Sequence, residues 1–114
     1  MGDCLFCRIV QKQIPATIVH EGKKSLAFRD IHPRAPIHVL VVPKDHVDNL
    51  MGLAASSTET LADLQTTIQT VVRQEKLEET GFRIVVNNGP DSGQEVSHLH
   101  YHILGGRRMA WPPG

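Results

Sequence analysis

No surplus of either charge marks this sequence. Twelve Lys and Arg balance twelve Asp and Glu over 114 residues, and the pI is about 7.1. That balance argues against a protein that grips nucleic acid through its phosphates, a role that needs a basic excess. Long apolar runs are missing too: none approaches the roughly 20 residues that span a bilayer, so no membrane partner is expected. Met1-Gly2-Asp3-Cys4 lacks a basic stretch followed by an apolar one, and Phe6 stands where an acylation signal wants Ser or Thr. Neither secretion nor a lipid anchor is expected from such a start. Cysteine is scarce, with only Cys4 and Cys7. Spaced Cys-x-x-Cys in a cytosolic chain, the pair points to metal or redox chemistry before structural bridging. The expectation is a globular, cytoplasmic chain whose residues 1–114 form one domain.

What is present is patterning. Residues 4–13 predict a short helix with Leu5, Ile9 and Val10 as its apolar stripe, closed by Pro15. Residues 17–20 and 25–29 predict two strands joined through Glu21-Gly22-Lys23-Lys24. Pro33 and Pro36 make residues 30–36 irregular. Residues 38–42 form a compact apolar strand stopped by Pro43. Ser56-x-x-Glu59 matches a capping box. The helix after it, running to about residue 76, carries Leu61, Leu64, Ile68, Val71 and Val72 at helical spacing. Residues 82–86 predict another strand, ended by the turn-prone Asn87-Asn88-Gly89-Pro90. Residues 96–104 predict the last strand, broken by Gly105-Gly106. The fold class is α+β on an antiparallel sheet.

The last strand carries His98, His100 and His102. Alternate strand residues share a face, so all three are expected to point one way, roughly 6.5–7 Å apart at Cβ. Three imidazoles so placed can line one elongated object, such as a phosphate with its leaving group. Alternate histidines also make good transition-metal ligands, but no carboxylate or further histidine is obviously delivered beside them. A neutral imidazole can attack phosphorus and form a nucleotidyl-imidazole, splitting a hard hydrolysis into two displacements.

His98-Leu99-His100-Tyr101-His102-Ile103-Leu104 resembles the signature of the histidine triad family. Ala27-Phe28-Arg29-Asp30-Ile31, Ala35-Pro36-Ile37-His38, Val42-Pro43-Lys44 and Gly93-Gln94 follow in the family's order. Gly105-Gly106-Arg107 and Trp111-Pro112-Pro113-Gly114 are similar to its Hint branch, the purine nucleoside phosphoramidases. The resemblance implies a five-stranded antiparallel sheet with one long and one short helix on one side, paired by a two-fold axis into a homodimer. The long helix and the tail at Trp111 are the expected contacts, since a Trp-Pro-Pro end cannot pair as a central strand.

The resemblance also implies roles. His100 would be the nucleophile, its other ring nitrogen held by a backbone carbonyl. His102 would hold a phosphate oxygen or the leaving group, and His38 would support the triad from the neighbouring strand. Asp30, an acceptor-only carboxylate, would take the ribose hydroxyls, with Ile31 lining the sugar–base pocket. An Asp before a proline-rich turn is also a common turn former. Asn87 would sit at the phosphate or sugar, and Gly93-Gln94 would bring backbone amides to the phosphate. Glu95 departs from the Ser common in Hint proteins; a carboxylate there repels phosphate unless it turns away, so only its backbone is assigned to the site. His32 is a second departure, with no derived consequence. Cys4, Cys7, His46 and His98 would hold one structural zinc ion, and no catalytic metal is expected.

The implied activity is hydrolysis of purine nucleoside 5′-phosphoramidates, such as adenosine 5′-monophosphoramidate, through a nucleotidyl-histidine on His100. A dinucleoside-polyphosphate hydrolase or nucleotidyl transferase of the same family is the alternative enzyme, disfavoured by the Hint-like C-terminal residues. A nucleotide-binding sensor or scaffold with little catalysis is the other alternative, and Glu95 is the feature that favours it.

Overall fold

A computed structural model describes residues 4–114. Helix α1 (Leu5–Val10) precedes strands β1 (Ile18–Glu21), β2 (Ser25–Arg29) and β3 (Ile37–Pro43). Helix α2 (Thr58–Gln74) then leads to β4 (Phe82–Val85) and β5 (Tyr101–Gly105). The five strands make one antiparallel sheet in the order β1-β2-β3-β5-β4.

Strand alternation sorts the core into two layers. Ala27, Val39, Val41 and Ile103 face α2 and pack with Leu64, Val71, Val72 and Leu77. Leu26, Phe28, Leu40 and Val42 face the other way and pack with Phe6 and Ile9 of α1. The two helices therefore cover opposite faces, not one side. The continuous apolar run of β3 demands this, because a strand buried on both faces needs cover on both.

Local chemistry moves several boundaries. α1 stops at Val10 and not at residue 13, because Lys12 already has a left-handed backbone, φ 61°. β1 lies one residue later than its pattern predicts, with an irregular step between Ile18 and His20. The capping box does not form. α2 begins at Thr58, so Ser57 holds the N-cap position without a side-chain bond, and Ser56 lies one residue too early. Glu59 instead places its charge in the first turn, where the helix dipole favours it. At the other end Lys76 turns left-handed, and Glu75 forms a two-pronged pair with Arg29 of β2 at 3.0 and 3.1 Å.

The largest departure is β5, which begins at Tyr101 and not at residue 96. In the β3–β5 register Val41 opposes Tyr101, which puts Pro43 opposite Leu99. Pro43 has no N–H to donate. Its carbonyl accepts instead from the His98 ring at 2.8 Å, so the ladder ends there. The preceding segment is pinned by other bonds, among them Leu99 N–H to the Val47 carbonyl at 2.8 Å.

Gly22 serves close approach. It lies under α2, where a Cβ would stand 2.5 Å from Asp63 Oδ2 and 2.8 Å from Thr67 Oγ1. Ser25 donates to Asp63 Oδ2 at 2.6 Å and shares a 2.8 Å hydrogen bond with buried Thr67. Among the described residues no helix is long and apolar enough to cross a membrane.

Candidate functional site

His102 lies on β5 opposite Leu40, and His38 lies two residues from Leu40 on β3, so both project from the α1 face of the sheet. Their ring centroids are 5.2 Å apart, and His100 stands 4.9 Å from His102. His98 does not join this row. Without the ladder the strict alternation lapses, and its fully buried ring turns to Cys4 and Cys7.

The hydrogen bonds fix which nitrogen of each ring carries the proton. His38 Nδ1 accepts from the Arg34 N–H at 3.0 Å, so the His38 proton is on Nε2. That Nε2–H donates to His102 Nδ1 at 2.9 Å, which leaves the His102 proton on its own Nε2. His102 Nε2 is buried with no hydrogen-bond partner among the described residues, a costly arrangement unless a ligand supplies an acceptor. Burial, then the neighbouring His100 and His38, pushes the His102 pKa down to about 4; burial likewise lowers that of His38. Both rings are thus neutral near neutral pH. His100 Nδ1–H donates to the His98 carbonyl at 2.8 Å, leaving the lone pair on Nε2. One ring offers a nucleophilic lone pair, and the ring beside it offers an N–H.

Around these rings the loops place the remaining candidates. Asp30 Oδ1 accepts from the His32 N–H at 2.8 Å, closing a turn, while Oδ2 lies 3.5 Å from His38 Nε2. Its turn-forming role is therefore real, and it occupies one oxygen. Ile31 is 83% exposed, and Asn87 is half-buried. The Gly93 N–H donates to the Pro90 carbonyl at 3.0 Å and the Gln94 N–H to that of Gly89 at 3.4 Å. These two amides are engaged inside their own turn and are not presented to a phosphate. The Gln94 side chain is a clasp: Oε1 accepts from Gly89 N–H, and Nε2 donates to the Asp48 and Val96 carbonyls. Glu95 is exposed, where water screens its charge.

A second cluster joins Cys4, Cys7, His46 and His98, whose ligand atoms all lie within 4.8 Å of one another. His98 Nδ1 is 3.3 Å from Cys4 Sγ and 3.5 Å from Cys7 Sγ; His46 Nδ1 is 3.3 Å from Cys7 Sγ. Bond lengths near 2.3 Å to sulfur and 2.0 Å to nitrogen make the edges of a tetrahedral zinc site about 3.5 Å. The tautomers fit as well. His98 Nε2–H donates to the Pro43 carbonyl and His46 Nε2–H to Asp48 Oδ1, each at 2.8 Å. Both histidines therefore turn an Nδ1 lone pair to the thiols, braced by an oxygen behind, as metal-binding histidines do. Burial and Cys4 push the Cys7 thiol up to about 11, a proton that a metal would displace. An open cavity of about 470 Å³, lined by Cys7, Arg8, Lys44 and His46 among others, gives a route in. Asp30, His38 and His102 also cluster but fail the same test. His38 Nδ1 already accepts a backbone N–H, so its Nε2 keeps the proton that a metal would have to replace.

A model of the HIT domain, the histidine triad domain, matches residues 11–109. The chain belongs to the HIT family. Among its HIT relatives, the "14 kDa zinc-binding protein" of Zea mays is 49% identical over 113 residues, covering 96% of this chain and 87% of that one. The "Adenylylsulfatase HINT1" of Arabidopsis thaliana is 48% identical over 113 residues, covering 96% of this chain and 76% of its own. The crystal structure of a HIT family hydrolase from Legionella pneumophila Philadelphia 1 superposes with a TM-score of 0.94 at 47% identity, covering 98% of this chain and all of that one. Within the HIT family these likenesses fall on the Hint-like branch. Cys4 and Cys7 precede the matched domain.

Four contributors to this HIT site escape sequence reasoning. The Arg34 amide, the Pro43 carbonyl and the Asp48 carboxylate each fix a ring, and two of them act through backbone that no motif marks. Phe6 is the fourth. It sits between the cysteines, three residues before Ile9, and that spacing marks it as part of the buried stripe of α1.

Proposed function

We propose that this HIT protein hydrolyses purine nucleoside 5′-phosphoramidates through a nucleotidyl group carried on His100. The observation that supports the reading is the pair of neighbouring rings with opposite offerings, a lone pair on His100 Nε2 and an unpartnered N–H on His102 Nε2. His100 Nε2 attacks phosphorus, a new P–N bond forms, and the substrate's P–N bond breaks as the amine departs with a proton taken from solvent. Water then attacks the same phosphorus, the bond to His100 breaks, the nucleoside monophosphate leaves, and the water's proton restores the balance. His102 Nε2–H donates to the phosphoryl oxygen on which charge builds. Asp30 Oδ2 takes the ribose hydroxyls, Ile31 borders the base, and Asn87 and the turn through Gly93, Gln94 and Glu95 border the phosphate.

A nucleotidyl-sulfate is the second substrate class, favoured by the relative named an adenylylsulfatase. Sulfate departs without needing a proton, and the attack by His100 is the same.

Cys4, Cys7, His46 and His98 hold a zinc ion in this reading, which supplies a structural cross-link between α1 and the segment before β5. Free thiols suit a cytoplasmic setting. A homodimer forms through α2 and the tail at Trp111, which is 80% exposed with the Arg83 guanidinium 5.8 Å from its ring, beside β4, an edge strand whose Phe82 and Ile84 are exposed.

The test is to mix the protein with adenosine 5′-monophosphoramidate, quench early and weigh the peptides. A mass increase of one nucleotidyl group on the peptide carrying His100 is expected. Turnover that survives His100→Ala overturns the reading.

A further inference from the structure

Phe6 touches both clusters. Its ring is 5% exposed and meets His100 edge-on at 5.1 Å and His98 at 6.0 Å. The helix that carries it is capped by Cys4, whose sulfur accepts the Cys7 N–H at 3.3 Å, and both sulfurs face His98 Nδ1. His98 is therefore shared. Its ring faces the thiols and the Pro43 carbonyl, while its own carbonyl holds the His100 tautomer. No ladder bond fixes the backbone at His98 or His100; the Leu99 N–H bond to the Val47 carbonyl pins the residue between them, and these side-chain contacts set how the two rings are held around it.

We propose that Phe6 and His98 are positioning residues for His100, and that through them the Cys4–Cys7 turn controls how the nucleophile is presented. This deepens the reading of His100 as nucleophile and rests on it for its kinetic consequence. Anything that alters the thiol pair moves His98, and with it the carbonyl that selects the His100 tautomer. A ring that wobbles or adopts the other tautomer loses the lone pair at the reacting position, so the chemical step slows while substrate binding is little changed.

Two variants test it. Phe6→Leu keeps apolar volume against Ile9 and Leu26 but removes the ring edge from both imidazoles. Cys4→Ser keeps an oxygen to cap α1 but withdraws the sulfur from His98. Nitrogen-15 NMR of the imidazoles, at a pH where free histidine is neutral, reads the His100 tautomer with no substrate present. In both variants the His100 Nδ1–H signal broadens or shifts toward the other tautomer, and kcat falls roughly tenfold to hundredfold with KM within about twofold. Val72→Ala, in the opposite core layer, is the control for general loosening at a comparable loss of melting temperature.

Unchanged His100 spectra in both variants overturn the proposal. So does an equal kcat loss in Val72→Ala, or an unchanged kcat beside altered spectra. If Phe6→Leu does not fold, Cys4→Ser decides alone. If the wild type turns over no nucleotide substrate, the proposed reaction falls, while the spectra still decide whether Phe6 and His98 position the ring.

Discussion

His38 Nε2 stands 2.9 Å from His102 Nδ1, and the proton between them belongs to His38, because the Arg34 amide occupies the other nitrogen of that ring. One backbone N–H thus sets two tautomers in series and leaves the His102 Nε2–H without a partner among the described residues.

Breaking this series lowers turnover without abolishing it. In His38→Phe nothing donates to His102 Nδ1, and kcat for adenosine 5′-monophosphoramidate is expected to fall about 10²-fold, the scale of one lost transition-state donor. His38→Gln keeps an amide donor and recovers much of that loss. Steady-state kinetics on the two variants check the ordering.

Stability should fall with acid in a defined window. His102 resists protonation when folded, with a pKa near 4 against 6.5 when free. The unfolded chain therefore takes up a proton that the folded chain refuses, and stability drops as pH falls from 6.5 toward 4. His38 pulls the same way, while Asp30, facing both rings, opposes it. The slope is at most about 1.4 kcal/mol per pH unit for each group, less for partly solvated rings. Urea midpoints across the window show it, and His102→Asn flattens the curve.

Removing a metal from the thiol cluster is expected to lower the melting temperature by about 10 °C, because binding energy at a structural site is folding energy. Elemental analysis of protein purified without chelator should find about one zinc per chain. Cys7→Ser should match the chelated wild type in calorimetry.

Gly22→Ala tests the contact between the β1–β2 turn and α2. The new Cβ meets Asp63 and Thr67 at 2.5 and 2.8 Å, both part of a short hydrogen-bonded group with Ser25. A loss of roughly 1–3 kcal/mol is expected, as for overpacking elsewhere. Denaturant unfolding measures it.

How much of this was legible follows from what each residue depends on. β2 and β3 were readable as short, continuous apolar runs, and α2 from the helical spacing of the residues it buries against the sheet. The resemblance named Cys4, Cys7, His46 and His98 as one set, and the fold gathers them within 4.8 Å. The strand expected over residues 96–100 failed for a reason outside those residues, the missing donor at Pro43 on the strand opposite. The helices fell on opposite faces because β3 is apolar on both, a fact its own run already contained. The tautomers were beyond reach, since the Arg34 N–H and the Pro43 carbonyl carry no side-chain signature.

The late start of β5 gives the two neighbouring rings different foundations. His102 is anchored in the weave of the sheet, whereas His100 rides on a strap fastened at a few discrete points. In the proposed reaction the sheet therefore keeps the donor ring in place, while the attacking ring depends on its bond to the His98 carbonyl.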